Sequence, residues 1–209
     1  MTDPLIFNSY YRSANVFSSF LAGKMINFPT TTNHNPELYS DKTKKQVVFF
    51  RNPYYCIPSL VVKRRVDSNV ELPTYSNSAG INNDIISAAK EYIHYIEKAK
   101  ENFDNIYVGH FETYIQDPIA ELKKIAKFFD LELLPINNSF EDIYDQIEKE
   151  MFNQPGPVRA ENLMSSHDGH MPREKTEARL AIEEYIKNFD DKTLKDCYEL
   201  YLNMQYTKI

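Results

Sequence analysis

The sequence predicts a three-layer α/β/α protein with a mostly parallel central sheet. Three observations carry that prediction. Apolar runs of strand length recur at Leu5-Ile6-Phe7, Gln46-Val47-Val48-Phe49-Phe50 and Ile106-Tyr107-Val108. Each run gives way to a polar turn and then to apolar residues at helical spacing. No run of strands occurs without a helix between them, the alternation that builds parallel sheets covered on both faces. Crossovers in such sheets are right-handed, and ligands sit at the carboxyl ends of the strands.

Taken in order, the first run is followed by Val16, Phe17, Phe20, Leu21 and Met25, a helix to about Met25. The run 46–50 is broken by Arg51-Asn52-Pro53, and 54–65 reads as a helix in which Pro58 removes one backbone donor and should kink the helix or shift its start. Residues 66–82 are polar and turn-rich, a loop long enough to act as a lid or binding loop. From 83 to 103, Ile85, Ile86, Ala89, Ile93, Ile96 and Ala99 form one apolar helical face. After 106–108, Asp117-Pro118 is an N-cap with proline at the first helical position, and the helix runs to about Asp130. An acidic helix is expected over 138–151, irregular chain over 154–171, and two further helices over 173–188 and 192–203.

Bulk composition narrows the function. A chain of 209 residues fits a single domain, 1–209. Its five glycines are too dispersed for either glycine-based nucleotide loop, G-x-G-x-x-G or G-x-x-x-x-G-K-[ST]. A net charge of −6 argues against a nucleic-acid partner, which needs a basic face. Cys56 and Cys197 make no zinc spacing and no metal is expected; they read as free thiols in a reducing compartment. The first residues lack a basic region and an apolar stretch of secretory length, and no apolar run is long enough to span a bilayer. The expectation is a cytoplasmic protein that makes no membrane contact.

Three segments lie where a strand turns into a helix. Such turns collect anions, because unpaired backbone N–H groups and the helix dipole point there. The first is Tyr11-Arg12-Ser13-Ala14-Asn15-Val16-Phe17, in which Arg12 can fork onto a phosphate and Ser13 and Asn15 add donors. The second is Arg51-Asn52-Pro53 with Ser59 about two helical turns on, placed to share one phosphate with Arg51. The third is Phe111-Glu112-Thr113, whose aromatic ring can flank a base. Each segment also has a plain reading: a solvated Arg-Ser loop, a strand-capping arginine with a surface serine, and a packed aromatic at a strand end.

In this order the segments resemble the nucleotide-binding elements of the sulfotransferases that use 3′-phosphoadenosine 5′-phosphosulfate (PAPS), a family with a P-loop NTPase-like fold. Residues 11–17 resemble the 5′-phosphosulfate loop. Arg51 and Ser59 have the spacing of the 3′-phosphate motif, and Phe111-Glu112-Thr113 with the helix after Asp117-Pro118 resembles the family's Tyr-Glu-Asp segment. Asn33-His34-Asn35-Pro36 stands in the order of the Thr-His-Leu-Pro segment, whose histidine is the base in cytosolic members. The likeness covers roughly residues 4–135. Further on, Arg173 and Lys175, or Arg159, stand for the basic segment that closes the nucleotide site.

The chain departs from the pattern at several positions. Ala14 replaces a glycine, Asn15 and Val16 replace two threonines, and Phe17 replaces a tryptophan. Phe111 lacks the tyrosine hydroxyl, and Thr32 stands where many cytosolic members carry a lysine. The resemblance implies sulfuryl transfer from PAPS, leaving adenosine 3′,5′-bisphosphate (PAP), to a hydroxyl or amine of a small-molecule or carbohydrate acceptor. It implies His34 as base and Arg12 as the charge on the leaving phosphate. The cofactor site would comprise Arg12, Ser13, Ala14, Asn15, Val16, Phe17, Arg51, Ser59, Phe111, Arg173 and Lys175. His94 and His110 read as structural. The acceptor site is expected from 27–36, 66–82 and 152–172, which also holds His167 and His170. In so short a chain it is either open or completed by a second copy in a homo-oligomer. Two other readings stand beside this one: a non-catalytic binding protein on the same fold, motivated by Ala14 and Val16, and a nucleotide kinase, which the missing Gly-Lys-[Ser/Thr] opposes.

Overall fold

In a computed structural model, the structure describes residues 3–10, 15–75, 80–135, 142, 146, 173–204 and 206–207; for 15–17 and 173–176 it describes the backbone alone. Four strands form one sheet, all parallel: β1 (Leu5–Phe7), β2 (Thr30–Thr32), β3 (Gln46–Phe50) and β4 (Ile106–His110), in the order β2-β1-β3-β4. The register pairs Leu5 with Thr30, Phe7 with Val47, and Phe50 with His110. Every strand therefore points its carboxyl end toward one edge of the sheet.

Helices cover both faces. Helix α1 (Asn15–Met25) follows β1, and α2 (Pro53–Asp67) and α3 (Asn82–Glu101) connect β3 to β4. Then come α4 (Phe111–Gln116), α5 (Pro118–Phe128), α6 (Arg173–Lys187) and α7 (Lys192–Leu202). Alternation along the strands sends side chains to two cores. Val48, Phe50, Ile106 and Val108 join Ile57, Val61, Tyr92, Ile96, Ile182 and Leu194 from α2, α3, α6 and α7. Leu5, Phe7, Val47, Phe49 and Tyr107 join Leu21, Phe111, Leu122 and Ile125 from α1, α4 and α5. Gly109 is bare by necessity: a methyl group there would sit 2.5 Å from the Phe49 ring.

Capping explains where the helices begin. Asn52 caps α2 by accepting from the Tyr54 N–H at 2.9 Å, with Pro53 opening the first turn, so the helix starts before Pro58 and runs through it as one element. Asp117 caps α5 through the Ala120 N–H at 2.9 Å, as its sequence predicts.

The structure departs from the sequence expectations in four places. β2 was not anticipated: three threonines at a half-exposed sheet edge carry no apolar signal. Pro36–Ser40 forms a 3-10 turn capped by Asn35. β4 continues to His110, and Phe111 opens a short helix of its own rather than a turn. Helix α2 extends to Asp67, so the loop starts at 68. The expected helix 138–151 and the irregular chain 154–171 lie outside the described residues, apart from 142 and 146.

Candidate functional site

The carboxyl ends of the four strands bring four short segments together: Asn8-Ser9-Tyr10 after β1, Asn33-His34-Asn35 after β2, Arg51-Asn52 after β3 and Phe111-Glu112 after β4. Asn8, fully buried, clamps the β2 segment. Its Nδ2 donates to the Asn35 carbonyl at 2.7 Å and to Gln46 Oε1 at 2.9 Å, and its Oδ1 accepts from the Asn35 N–H at 2.9 Å. A buried amide bonded this fully is rigid, since any slippage strands a polar group. Ser9 Oγ accepts from the Phe49 N–H at 2.6 Å, tying the β1 segment to β3.

His34 is set on this clamp. Its Nδ1 lies 2.9 Å from the Ser9 carbonyl oxygen. A carbonyl only accepts, so Nδ1 carries the proton and the neutral ring has its lone pair on Nε2. Burial is the main cause that lowers the His34 pKa below the ordinary imidazole range, and the Lys63 charge adds to it; the Ser9 bond and Glu91 oppose. The ring is therefore neutral at physiological pH, in the tautomer that can accept a proton through Nε2. Its backbone is held too, because the Tyr95 hydroxyl donates to the His34 carbonyl at 2.5 Å.

Arg51 leaves the end of β3 with its guanidinium 4.9 Å from the centre of the Phe111 ring. The Tyr92 hydroxyl donates to the Arg51 carbonyl at 2.6 Å. The next residue is fixed from the other side: the Asn52 N–H donates to Glu112 Oε1 at 3.0 Å. Glu112 Oε2 accepts from the Tyr201 hydroxyl of α7 at 3.2 Å and stands 3.3 Å from His110 Nδ1. Ser59 lies in α2, 3% exposed. Phe111 is likewise 3% exposed and packed in the α1–α4–α5 core, with the Arg51 guanidinium over its ring.

The remaining expected residues are placed less fully. Arg12, Ser13 and Ala14 lie outside the described residues, as do Arg159, His167 and His170. Asn15, Val16 and Phe17 form the first turn of α1, whose N-terminus opens at the same sheet edge. Arg173 and Lys175 fall in the first turn of α6. His94 is exposed on α3 with Nε2 2.8 Å from Glu37 Oε1. His110 is tied to Tyr201 at 2.9 Å.

The loop after α2 sits elsewhere. Thr74 and Tyr75 line a cavity of about 230 Å³ with Tyr185, Asn188 and Phe189 of α6 and the turn after it, and the Tyr185 hydroxyl donates to Asn82 Oδ1 at the start of α3. Asn82 and Tyr95 are separated by 13 positions on one helix, about 20 Å along its axis. Thr74 and Tyr75, the described end of that loop, therefore pack near the N-terminal end of α3, whereas Tyr95 at its other half meets His34. Sequence reasoning missed Asn8 and the tyrosine hydroxyls, and named Glu112 only as part of the Phe111-Glu112-Thr113 segment. The one available signal was a polar residue directly after an apolar run, at Asn8.

No group of His, Cys, Asp and Glu suited to a metal ion occurs among the described residues, and none of their helices is long and apolar enough to cross a membrane. No protein-family model matches the sequence, and no curated protein does. Among solved structures, the chain is similar to a mouse sulfotransferase, SULT7A1, crystallised with PAP: 15% identity, a TM-score of 0.54, and coverage of 98% of this chain and 85% of that one. The fold is the sulfotransferase fold. Within it, the four segments described above lie together at the carboxyl edge of the parallel sheet.

Proposed function

We propose that this protein is a PAPS-dependent sulfotransferase acting on a hydroxyl or amine of a small-molecule or carbohydrate acceptor. The observation that carries the reading is His34: a neutral imidazole, anchored through Nδ1 to the Ser9 carbonyl, at the sheet edge where Arg51 also emerges. The fold and the PAP bound to its mouse neighbour support the nucleotide part.

In this reading the acceptor oxygen attacks the sulfur in line, an O–S bond forms, and the bond from sulfur to the bridging phosphate oxygen breaks. His34 takes the acceptor proton through Nε2. Arg12 offsets the charge that develops on the leaving phosphate. Arg12, Ser13 and the first turn of α1 hold the 5′ end of the nucleotide, Arg51 and Ser59 hold the 3′-phosphate, and Arg173 and Lys175 close over it. Phe111 contributes by fixing the plane of the Arg51 guanidinium.

The test compares thermal shifts with adenosine 3′,5′-bisphosphate and with AMP. A larger rise with the bisphosphate is expected, and equal rises sink the 3′-phosphate assignment. PAPS turnover over a panel of phenols, amines and sugars, lost in His34→Ala, tests the chemistry. Binding of the bisphosphate without turnover of PAPS on any acceptor would favour a binding protein that has kept the fold.

A further inference from the structure

One stripe of α3 reaches three of the four segments at the sheet edge. Ala88, Tyr92 and Tyr95 are spaced four and three residues apart, which puts them on a single helical face. The Ala88 carbonyl accepts from the Tyr10 hydroxyl of the β1 segment at 3.0 Å. Tyr92 donates to the Arg51 carbonyl and Tyr95 to the His34 carbonyl. Tyr10 and Tyr92 are fully buried and Tyr95 is 2% exposed. Their rings interlock edge to face, with Tyr10 centred 4.8 Å from Tyr92 and 5.4 Å from Tyr95.

A buried phenol must find a partner for its hydroxyl. Here each partner is a backbone carbonyl, two of them in site segments. Tyrosine has only two side-chain torsions, so its reach from the helix is nearly fixed once the ring is packed. Tyr92 and Tyr95 differ by about 4.5 Å along the α3 axis. The helix therefore sets the position of Arg51 relative to His34.

We infer that Tyr92 and Tyr95 are positioning residues with separate tasks. Tyr92 sets Arg51 for recognition of a 3′-phosphorylated nucleotide, Tyr95 sets His34 for proton removal, and α3 is the spacer between them. The inference rests on the proposed function and extends it. Selectivity for the 3′-phosphate depends in part on a hydroxyl sealed from solvent, and so on a residue outside the nucleotide's reach.

The experiment uses the full chain with Tyr92→Phe and Tyr95→Phe. Two readouts are taken: the ratio of dissociation constants for AMP and adenosine 3′,5′-bisphosphate, and the NMR titration of the His34 ring, assigned by its loss in His34→Gln. The ring feels Lys63 of α2 and Glu91 of α3, which neither variant alters. Tyr92→Phe is expected to shrink the nucleotide ratio about tenfold, the worth of one hydrogen bond, and to leave the titration in place. Tyr95→Phe is expected to keep the ratio and move the His34 midpoint up toward the ordinary value, as the loosened segment admits water. Either variant moving both readouts alike, or neither variant moving any, overturns the division of tasks. A wild-type ratio near one sinks the functional reading and the task of Tyr92 with it, while the titration still judges Tyr95.

Discussion

The two faces of the sheet are built from the same kinds of rings and use them differently. On the α1–α4–α5 face, Tyr107, Glu121 and Lys124 close on each other. The Tyr107 hydroxyl donates to Glu121 Oε1 at 2.6 Å, and Glu121, 5% exposed, takes Lys124 on its other oxygen at 2.8 Å. On the α2–α3 face the buried hydroxyls of Tyr39, Tyr92 and Tyr95 leave the core and end on the carbonyls of Asn8, Arg51 and His34. Burial raises the pKa of Tyr39 and Tyr92, so they remain donors across the physiological range. One face is a foundation and the other a scaffold for the site. Phe111 apart, whose ring meets the Arg51 guanidinium, substitutions on the first should cost stability, and substitutions on the second should cost function out of proportion to stability.

The largest expected effect tests the foundation. Phe49 lies between the rings of Phe7 and Tyr114, at 6.4 and 4.5 Å. Phe49→Ala should lose about 3–5 kcal/mol in chemical denaturation. Nucleotide affinity per folded molecule should stay unchanged, and a specific loss of affinity would erase the distinction between the faces. Next, Glu121→Ala leaves the buried Tyr107 hydroxyl without its acceptor and should cost about 1–3 kcal/mol, again with affinity intact. Smaller in stability is Tyr39→Phe, at about 1 kcal/mol. Yet it releases the Asn8 carbonyl beside the clamp that holds the His34 segment, so PAPS turnover should fall more than the melting temperature suggests. A proportionate fall would place Tyr39 with the foundation.

The smallest effect is one of pH. The folded-state pKa of His34 lies below its unfolded value near 6.5, so the unfolded chain takes up the proton first as pH falls. The stability His34 contributes is complete above about 6.5 and is lost as pH drops through that value toward the folded one. Denaturation midpoints at pH 7.5 and 5.5 should therefore differ less in His34→Gln than in the wild type.

Much of this was legible in the sequence. β1, β3, β4 and the long helices announced themselves by apolar period, and Asp117-Pro118 by its capping chemistry. Arg12, Arg51 and Phe111, each just after an expected strand, could be expected at one edge, because parallel strands end together; His34 came from the resemblance alone, since β2 was not anticipated. His34, Arg51 and Phe111 do end there. What could not be read were contacts that depend on tertiary neighbours. β2 is three polar threonines that become a strand only because β1 offers them partners. Phe111 was expected to flank a base; that its ring packs in the core with the Arg51 guanidinium over it depends on tertiary neighbours the sequence does not show. The apolar face read for α3 left out Tyr92 and Tyr95, which the structure buries, since a phenol's polar tip hides how far its ring can sink and where its hydroxyl ends.

One further contact bears on how molecules of this protein meet each other. Beyond α7, the Thr207 N–H donates to the Val108 carbonyl at 2.9 Å, and the Thr207 hydroxyl accepts from the Val108 N–H at 2.9 Å. Among the described residues β4 is an outer strand, and those are one pair of the main-chain groups it would otherwise offer sideways. A single threonine thus acts as a stopper. It takes up, within the chain itself, main-chain groups that a neighbouring chain would need for strand-to-strand growth.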